Sequence, residues 1–184
     1  VWSKVMIRII AGEFRHREIV NPNRAKTRPT QDRVREAIFS AISMSIKNRV
    51  VLDLFAGSGA YGFEALSRGA SKAYFVDNAK ECVEAIKETT TNLKIKDRVI
   101  ITRSDYLNFL NTCKTKFDLV FLDPPYAYES NLETIKKLID LNLLSDNAII
   151  VAEQDIELEP LEGFKLKTYS YGYKKVGIYR KGVL

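Results

Sequence analysis

Apolar and polar positions change rhythm repeatedly along this 184-residue chain. From residue 49 onward, short apolar runs alternate with stretches of helical spacing. Runs at 50–55, 72–76, 99–102, 117–122 and 147–152 have the length of buried strands. Between them, 59–69 and 105–112 predict helices. Asn78 with Glu81, and Ser130 with Glu133, read as capping boxes that open two more. In the second of these, Leu132, Ile135, Leu138 and Ile139 share one face. Two last runs, 164–169 and 175–180, read as a closing strand pair turned near Gly172. Units that alternate in this way require a mostly parallel sheet with helices on both faces. The expected fold is α/β: a doubly wound, Rossmann-like sheet whose last strand is antiparallel.

The first quarter of the chain has a different pattern. Segments 7–10 and 14–20 predict a small β-hairpin around Ala11-Gly12. Residues 21–29 are polar and basic with two prolines, and read as a linker. Thr30 then caps a helix with Val34, Ala37, Ile38, Ala41 and Ile42 at helical spacing. Arg33 and Arg35 fall off that stripe and are expected to face solvent or a partner. The organisation expected is a basic hairpin and linker over 1–29, followed by one α/β domain over 30–184.

Composition narrows the class further. Hydrophobic residues at 46% and charged ones at 28% describe an ordinary globular chain. No apolar run nears the ~20 residues of a membrane-spanning helix. Residues 1–10 carry Lys4 and Arg8 where a leader would be continuously apolar. Cys82 and Cys113 are too distant for a CxxC site, and His16 is the single histidine. Neither a metal cluster nor a serine–histidine–acid triad can be assembled from them. His16 reads as a solvated or RNA-facing residue. A cytoplasmic monomer with reduced thiols is expected. The net charge of +6 is informative once located. Residues 1–49 hold 11 Lys and Arg against 4 Asp and Glu, and residues 50–184 hold 18 against 19. A basic excess confined to the first quarter suits an arm that grips a polyanion.

Chemistry concentrates at the ends of the predicted strands. Asp53-Leu54-Phe55-Ala56-Gly57-Ser58-Gly59-Ala60-Tyr61-Gly62 ends one strand and opens a helix, and Asp77 ends the next strand. Gly57, Gly59 and Gly62 satisfy G-x-G-x-x-G, so the segment reads as a nucleotide-binding loop with Asp77 on the ribose. Asp53 would point an anion into the site. A pyrophosphate would be repelled there and an ammonium attracted. Asp105 is placed either to contact an adenine amine or simply to cap its helix. Asp123-Pro124-Pro125-Tyr126 follows the run 117–122. Two prolines cannot continue a ladder, so the chain is held rigid just past the strand. A fixed carboxylate, exposed carbonyls and one aromatic ring suit a planar base carrying an amino group.

Asp123-Pro124-Pro125-Tyr126 resembles the D/N-P-P-Y/F motif of class I amino-methyltransferases. The segments 6–12, 28–39 and 53–70 are similar to a narrower group, the bacterial 16S ribosomal RNA guanine-N2 methyltransferases, and the similarity runs along nearly the whole chain from Met6. The resemblance implies S-adenosylmethionine as cofactor, held by Asp53, Phe55, Gly57, Ser58, Gly59, Asp77, Asn78 and Asp105. It implies that Asp123, Pro124 and Tyr126 hold the target guanine. Arg8, Arg15, Arg17, Arg28, Arg33 and Arg35 would then grip the RNA. The implied partner is 16S rRNA within the small ribosomal subunit or an assembly intermediate.

Other activities share parts of this pattern. An adenine-N6 methylase of DNA or RNA, or a glutamine-N5 methylase of a protein, more often has Asn at the first motif position, although Asp also occurs. The basic arm speaks against a protein substrate. An NAD-dependent oxidoreductase would use the same glycine loop, but no catalytic histidine or lysine constellation accompanies it here. A non-catalytic RNA-binding module would need neither the glycine loop nor the acid before the two prolines. Guanine rather than adenine follows from the resemblance alone.

Overall fold

A computed structural model describes residues 6–22, 29–125 and 131–182. The hairpin consists of β1 (Ile7–Arg8) and β2 (Glu18–Ile19), paired antiparallel with Ile7 opposite Ile19. These strands are shorter than the apolar pattern suggested. Residues 11–16 fold into tight turns, with His16 in the left-handed region at φ 69°. Helix α1 (Pro29–Ala41) follows. It starts at Pro29 rather than after a Thr30 cap, because proline's fixed φ and missing N–H suit the first helical position.

Beyond α1 lie β3 (Val50–Asp53), α2 (Ala60–Ser67), β4 (Lys72–Asp77), α3 (Lys80–Leu93) and β5 (Val99–Arg103). Next come α4 (Tyr106–Thr112), β6 (Phe117–Leu122), α5 (Leu132–Asp140), β7 (Leu144–Gln154), β8 (Phe164–Tyr171) and β9 (Lys174–Lys181). The last seven strands form one sheet in the order β5-β4-β3-β6-β7-β9-β8. The five from β5 to β7 are mutually parallel, and β9 inserts antiparallel between β7 and β8. This is the expected doubly wound sheet. Its order reverses between β3 and β6, which is where open α/β sheets bind ligands.

Each face of the sheet has its own core. One gathers α1, α2, α3 and the hairpin around Phe39, Phe63, Phe75 and Phe121, with Ile7, Ile9 and Ile19 among its members. The other packs Phe109, Leu110, Ile135 and Leu138 against Val120, Ile150 and Tyr179. The hairpin is also tied down by polar bonds. Ile10 and Ala11 donate their N–H groups to the Glu64 carboxylate at 2.8 and 3.1 Å, and Phe14 N–H donates to Ser67 Oγ.

Two local expectations are corrected. Asn78 does not cap α3. Ala79 occupies the cap position, and its N–H donates to Asp77 Oδ1 at 2.9 Å. Arg35 does not face solvent: it is 4% exposed, because the hairpin closes over that side of α1 and Arg35 donates to the Arg8 carbonyl at 2.7 Å. At α5 the cap position belongs to Asn131, and Ser130 lies outside the described residues.

Candidate active site

A cavity of about 1200 Å³ opens where the sheet order reverses. Its walls come from the segments that follow successive parallel strands: Phe55, Gly57 and Ser58 after β3, Asp77 and Asn78 at β4, Asp105 after β5, and Asp123, Pro124 and Pro125 after β6. Asn21 and Pro22 beyond the hairpin, Arg35 of α1, and Tyr171, Tyr173 and Lys174 at the β8–β9 turn complete it.

On the β3–β5 side, backbone donors organise the acids. Gly57 lies at φ 56°, and a Cβ there would meet nothing within 4 Å, so its backbone faces open space. Its N–H donates to Asp77 Oδ2 at 2.8 Å. Gly62 lies in the first turn of α2 against the sheet, where a Cβ would stand 2.3 Å from the Phe75 ring. Its N–H donates to Asp53 Oδ2 at 3.0 Å. Asp53 is 3% exposed and lies behind the cavity wall rather than on it. Burial pushes its carboxyl up to about 8. Asp53 therefore anchors the loop and is not the exposed anion expected from sequence. Gly59 likewise sits under the wall, against Phe63 and Phe75. Asp105 caps α4, accepting from Asn108 N–H at 3.0 Å, and also lines the cavity. The Phe55 and Tyr106 rings stand 5.2 Å apart and both reach the wall.

The β6–β9 side is organised by side chains. Lys174 Nζ lies 3.5 Å from Asp123 Oδ1 and 3.7 Å from Glu153 Oε2. The Tyr61 hydroxyl donates to Glu153 Oε1, while its ring stacks on Phe121 with centroids 5.0 Å apart. Burial pushes Glu153 up to about 8, and the neighbouring Asp123 charge adds to this. Burial also raises Asp123, and Lys174 opposes the rise. Burial would lower Lys174, but the Asp123 and Glu153 charges outweigh it and raise it. Arg35 brings a second cation, with its buried Nε unpartnered.

Sequence reading missed Tyr61, Glu153, Lys174 and the β8–β9 turn. One signal was available. Glu153 is an acid at the carboxyl end of an apolar strand, as are Asp53, Asp77 and Asp123. Arg8, Arg15, Arg17 and Arg33 are exposed, and Arg17 donates to the Asn92 carbonyl at 2.8 Å. Tyr126 and Arg28 lie outside the described residues. No metal-holding cluster of His, Cys, Asp or Glu occurs among the described residues. Nor is any described helix long and apolar enough to cross a membrane.

This architecture has known counterparts. Residues 7–180 match the family described as Conserved hypothetical protein 95. The chain is 36% identical over 183 residues to YlbH of Bacillus subtilis, covering 95% of this chain and 99% of that protein. It is 37% identical over 151 residues to ribosomal RNA small subunit methyltransferase D of Escherichia coli, covering 82% of this chain and 76% of that protein. The solved structure of yhhF from Escherichia coli superposes with a TM-score of 0.88 at 32% identity, over 98% of this chain and 100% of that one. This chain belongs to the Conserved hypothetical protein 95 family, the family of small-subunit ribosomal RNA methyltransferase D, and is a methyltransferase of class I fold.

Proposed function

We propose that the chain transfers a methyl group from S-adenosylmethionine to the exocyclic N2 amine of a guanine in 16S rRNA of the small ribosomal subunit. One juxtaposition carries this proposal: the Gly57 loop with Asp77 and the Asp123 carboxylate face the same cavity. The donor set there fits the cofactor. Asp77 offers an acceptor for ribose hydroxyls, Asp105 for an adenine amine, and Phe55 with Tyr106 apolar faces for the purine. Arg35, with its unpartnered Nε, suits a carboxylate. When bound, S-adenosylmethionine supplies an electrophilic methyl group on a sulfonium.

The protein's own contribution is orientation and charge. Hydrogen bonds from the guanine amine to the Asp123 carboxylate and the Pro124 carbonyl localise the nitrogen lone pair. They also aim it at the methyl carbon. Such positioning is worth up to roughly 7–11 kcal/mol. Lys174 favours the charged form of Asp123, the form that accepts from the amine. The bound cofactor would supply the methyl group and keep the C–S bonding electrons on its sulfur. The methylated nitrogen then releases a proton to Asp123 or water. A base stacked in a helix must first be turned out to reach this depth. The exposed Arg8, Arg15, Arg17 and Arg33 supply phosphate contacts outside the cavity.

Rival activities make different predictions. The names of the relatives favour rRNA over DNA or protein as substrate. The test is methyl transfer from labelled cofactor to purified small subunits, followed by nucleoside analysis. N2-methylguanosine is expected. Labelled N6-methyladenosine, or no labelled nucleoside, would overturn the assignment. Asp123→Ala is expected to abolish transfer while cofactor affinity stays near normal.

A further inference from the structure

Residues 50–184 are near neutral as a whole but contain a second basic segment. Residues 163–182 contain six Lys and Arg, four Tyr and no Asp or Glu. They form the β8–β9 hairpin, the edge of the sheet. Three of the six cations are engaged locally. Lys174 faces Asp123, Lys175 pairs with Glu157 at 3.1 Å, and Arg180 donates to the Ala41 carbonyl. Lys165 and Lys167 are exposed.

Strand periodicity places Lys165, Lys167, Tyr169 and Tyr171 on one side of β8. Tyr169 and Tyr171 pack on the core shared by α1 and the N-terminal hairpin, so this row lies on their side of the sheet. The Lys167 ammonium stands 5.3 Å over the Tyr169 ring. At the end of the row Tyr171 enters the cavity wall, and Tyr173, in the turn, lines the mouth with 71% of its surface exposed. Interleaved cations and aromatic faces are the composition that holds a nucleic-acid strand: cations track phosphates while rings stack on bases. The N-terminal hairpin reaches the same cavity through Ile7.

We infer that the β8–β9 hairpin is a second RNA-binding surface. The strand bearing the target base crosses the cavity mouth between the two hairpins. Lys165 and Lys167 contact its phosphates, and Tyr173 stacks on a base beside the one turned into the cavity. This rests on the RNA substrate proposed above. Lysines on an edge strand also discourage sheet-to-sheet pairing. A purely protective role would leave RNA affinity untouched, and it does not account for an exposed tyrosine at the cavity mouth.

The experiment measures binding of purified small subunits across a salt series without cofactor, and methyl transfer separately. Lys165→Glu/Lys167→Glu is expected to reduce the slope of log affinity against log salt by about 1.4 or more, two contacts at roughly 0.7 each. Cofactor affinity should stay unchanged, which shows that the fold is intact. Tyr173→Ala is expected to raise the subunit KM by roughly 5- to 150-fold, the range of one lost stacking contact. Tyr173→Phe should restore it. An unchanged salt slope together with an unchanged KM overturns the proposal, as does a wild-type protein that binds subunits without salt dependence. Wild-type protein that binds with the expected slope but transfers no methyl group defeats the enzymatic assignment and leaves the surface standing.

Discussion

The two halves of the cavity are built in different ways. On the β3–β5 side every acid is fastened to a nearby backbone N–H: Asp53 to Gly62, nine positions on, Asp77 to Gly57 and Ala79, and Asp105 to Asn108. On the β6–β9 side, acids and a cation from distant segments hold one another. Lys174 meets Asp123 across 51 positions, and Tyr61 meets Glu153 across 92. Backbone donors leave a rigid cradle of fixed shape, suited to one unvarying cofactor. A cluster of side chains leaves charges that can respond when a base arrives. The first half is preorganised by loops and the second by ionic balance.

The sharpest way to break this contrast is to remove a backbone anchor. Asp77→Ala deprives two N–H groups of their acceptor and removes the proposed ribose contact. Hydrogen bonds to a charged group are worth about 1.5–3 kcal/mol each. The loss is expected to weaken cofactor binding by roughly 100-fold, read by isothermal titration, and the subunit salt slope should not change. Cofactor affinity within about threefold of wild type would mean the cradle does not depend on this carboxylate.

The same contrast explains what could be read from the chain before its structure. Asp77 follows Gly57 by 20 positions, a separation set by one strand–helix–strand unit, so their pairing is a local regularity. The strands follow from apolar runs, which are local too, whereas their order in the sheet is set by contacts between distant segments. Lys174 meets Asp123 only because β9 runs antiparallel beside β7, and no spacing rule encodes that. Arg35 shows the other failure. Helical periodicity put it off the apolar stripe of α1, but the hairpin covers that flank and turns a surface position into a buried one. The Asn78 cap failed for a smaller reason: α3 starts one residue later, with Ala79 at the cap position and its N–H tied to Asp77, which the sheet anchors.

A weaker intervention acts on the ionic side. Lys174→Met leaves Asp123 and Glu153 without their shared cation. The Asp123 pKa, already raised by burial, should rise further, because Lys174 is what opposes it. Less Asp123 is then ionised at neutral pH. Lys174 is about one-third exposed, so solvent screens part of the effect. A fall of about tenfold in kcat at pH 7 is expected, partly recovered as the pH is raised, with cofactor affinity unchanged. A pH-independent loss would assign Lys174 a purely packing role.

A measurement of stability rather than activity separates charge from shape at Glu153. This carboxyl is buried and pushed up to about 8. Between the ordinary carboxylate range and pH 8, the folded protein keeps the Glu153 proton while the unfolded chain has lost it. The folded state binds more protons, so this group makes stability fall as pH rises through that window and levels off above it. Glu153→Gln cannot ionise and keeps nearly the same volume. Its stability relative to wild type should therefore improve steadily from about pH 5 to pH 8, as measured by urea unfolding in matched buffers. Asp53, pushed up to the same value, is present in both proteins and cancels from the difference. If the difference is flat across that range, the Lys174 charge holds Glu153 ionised in the folded protein, and the β6–β9 side is as fixed in charge as the β3–β5 side is in shape.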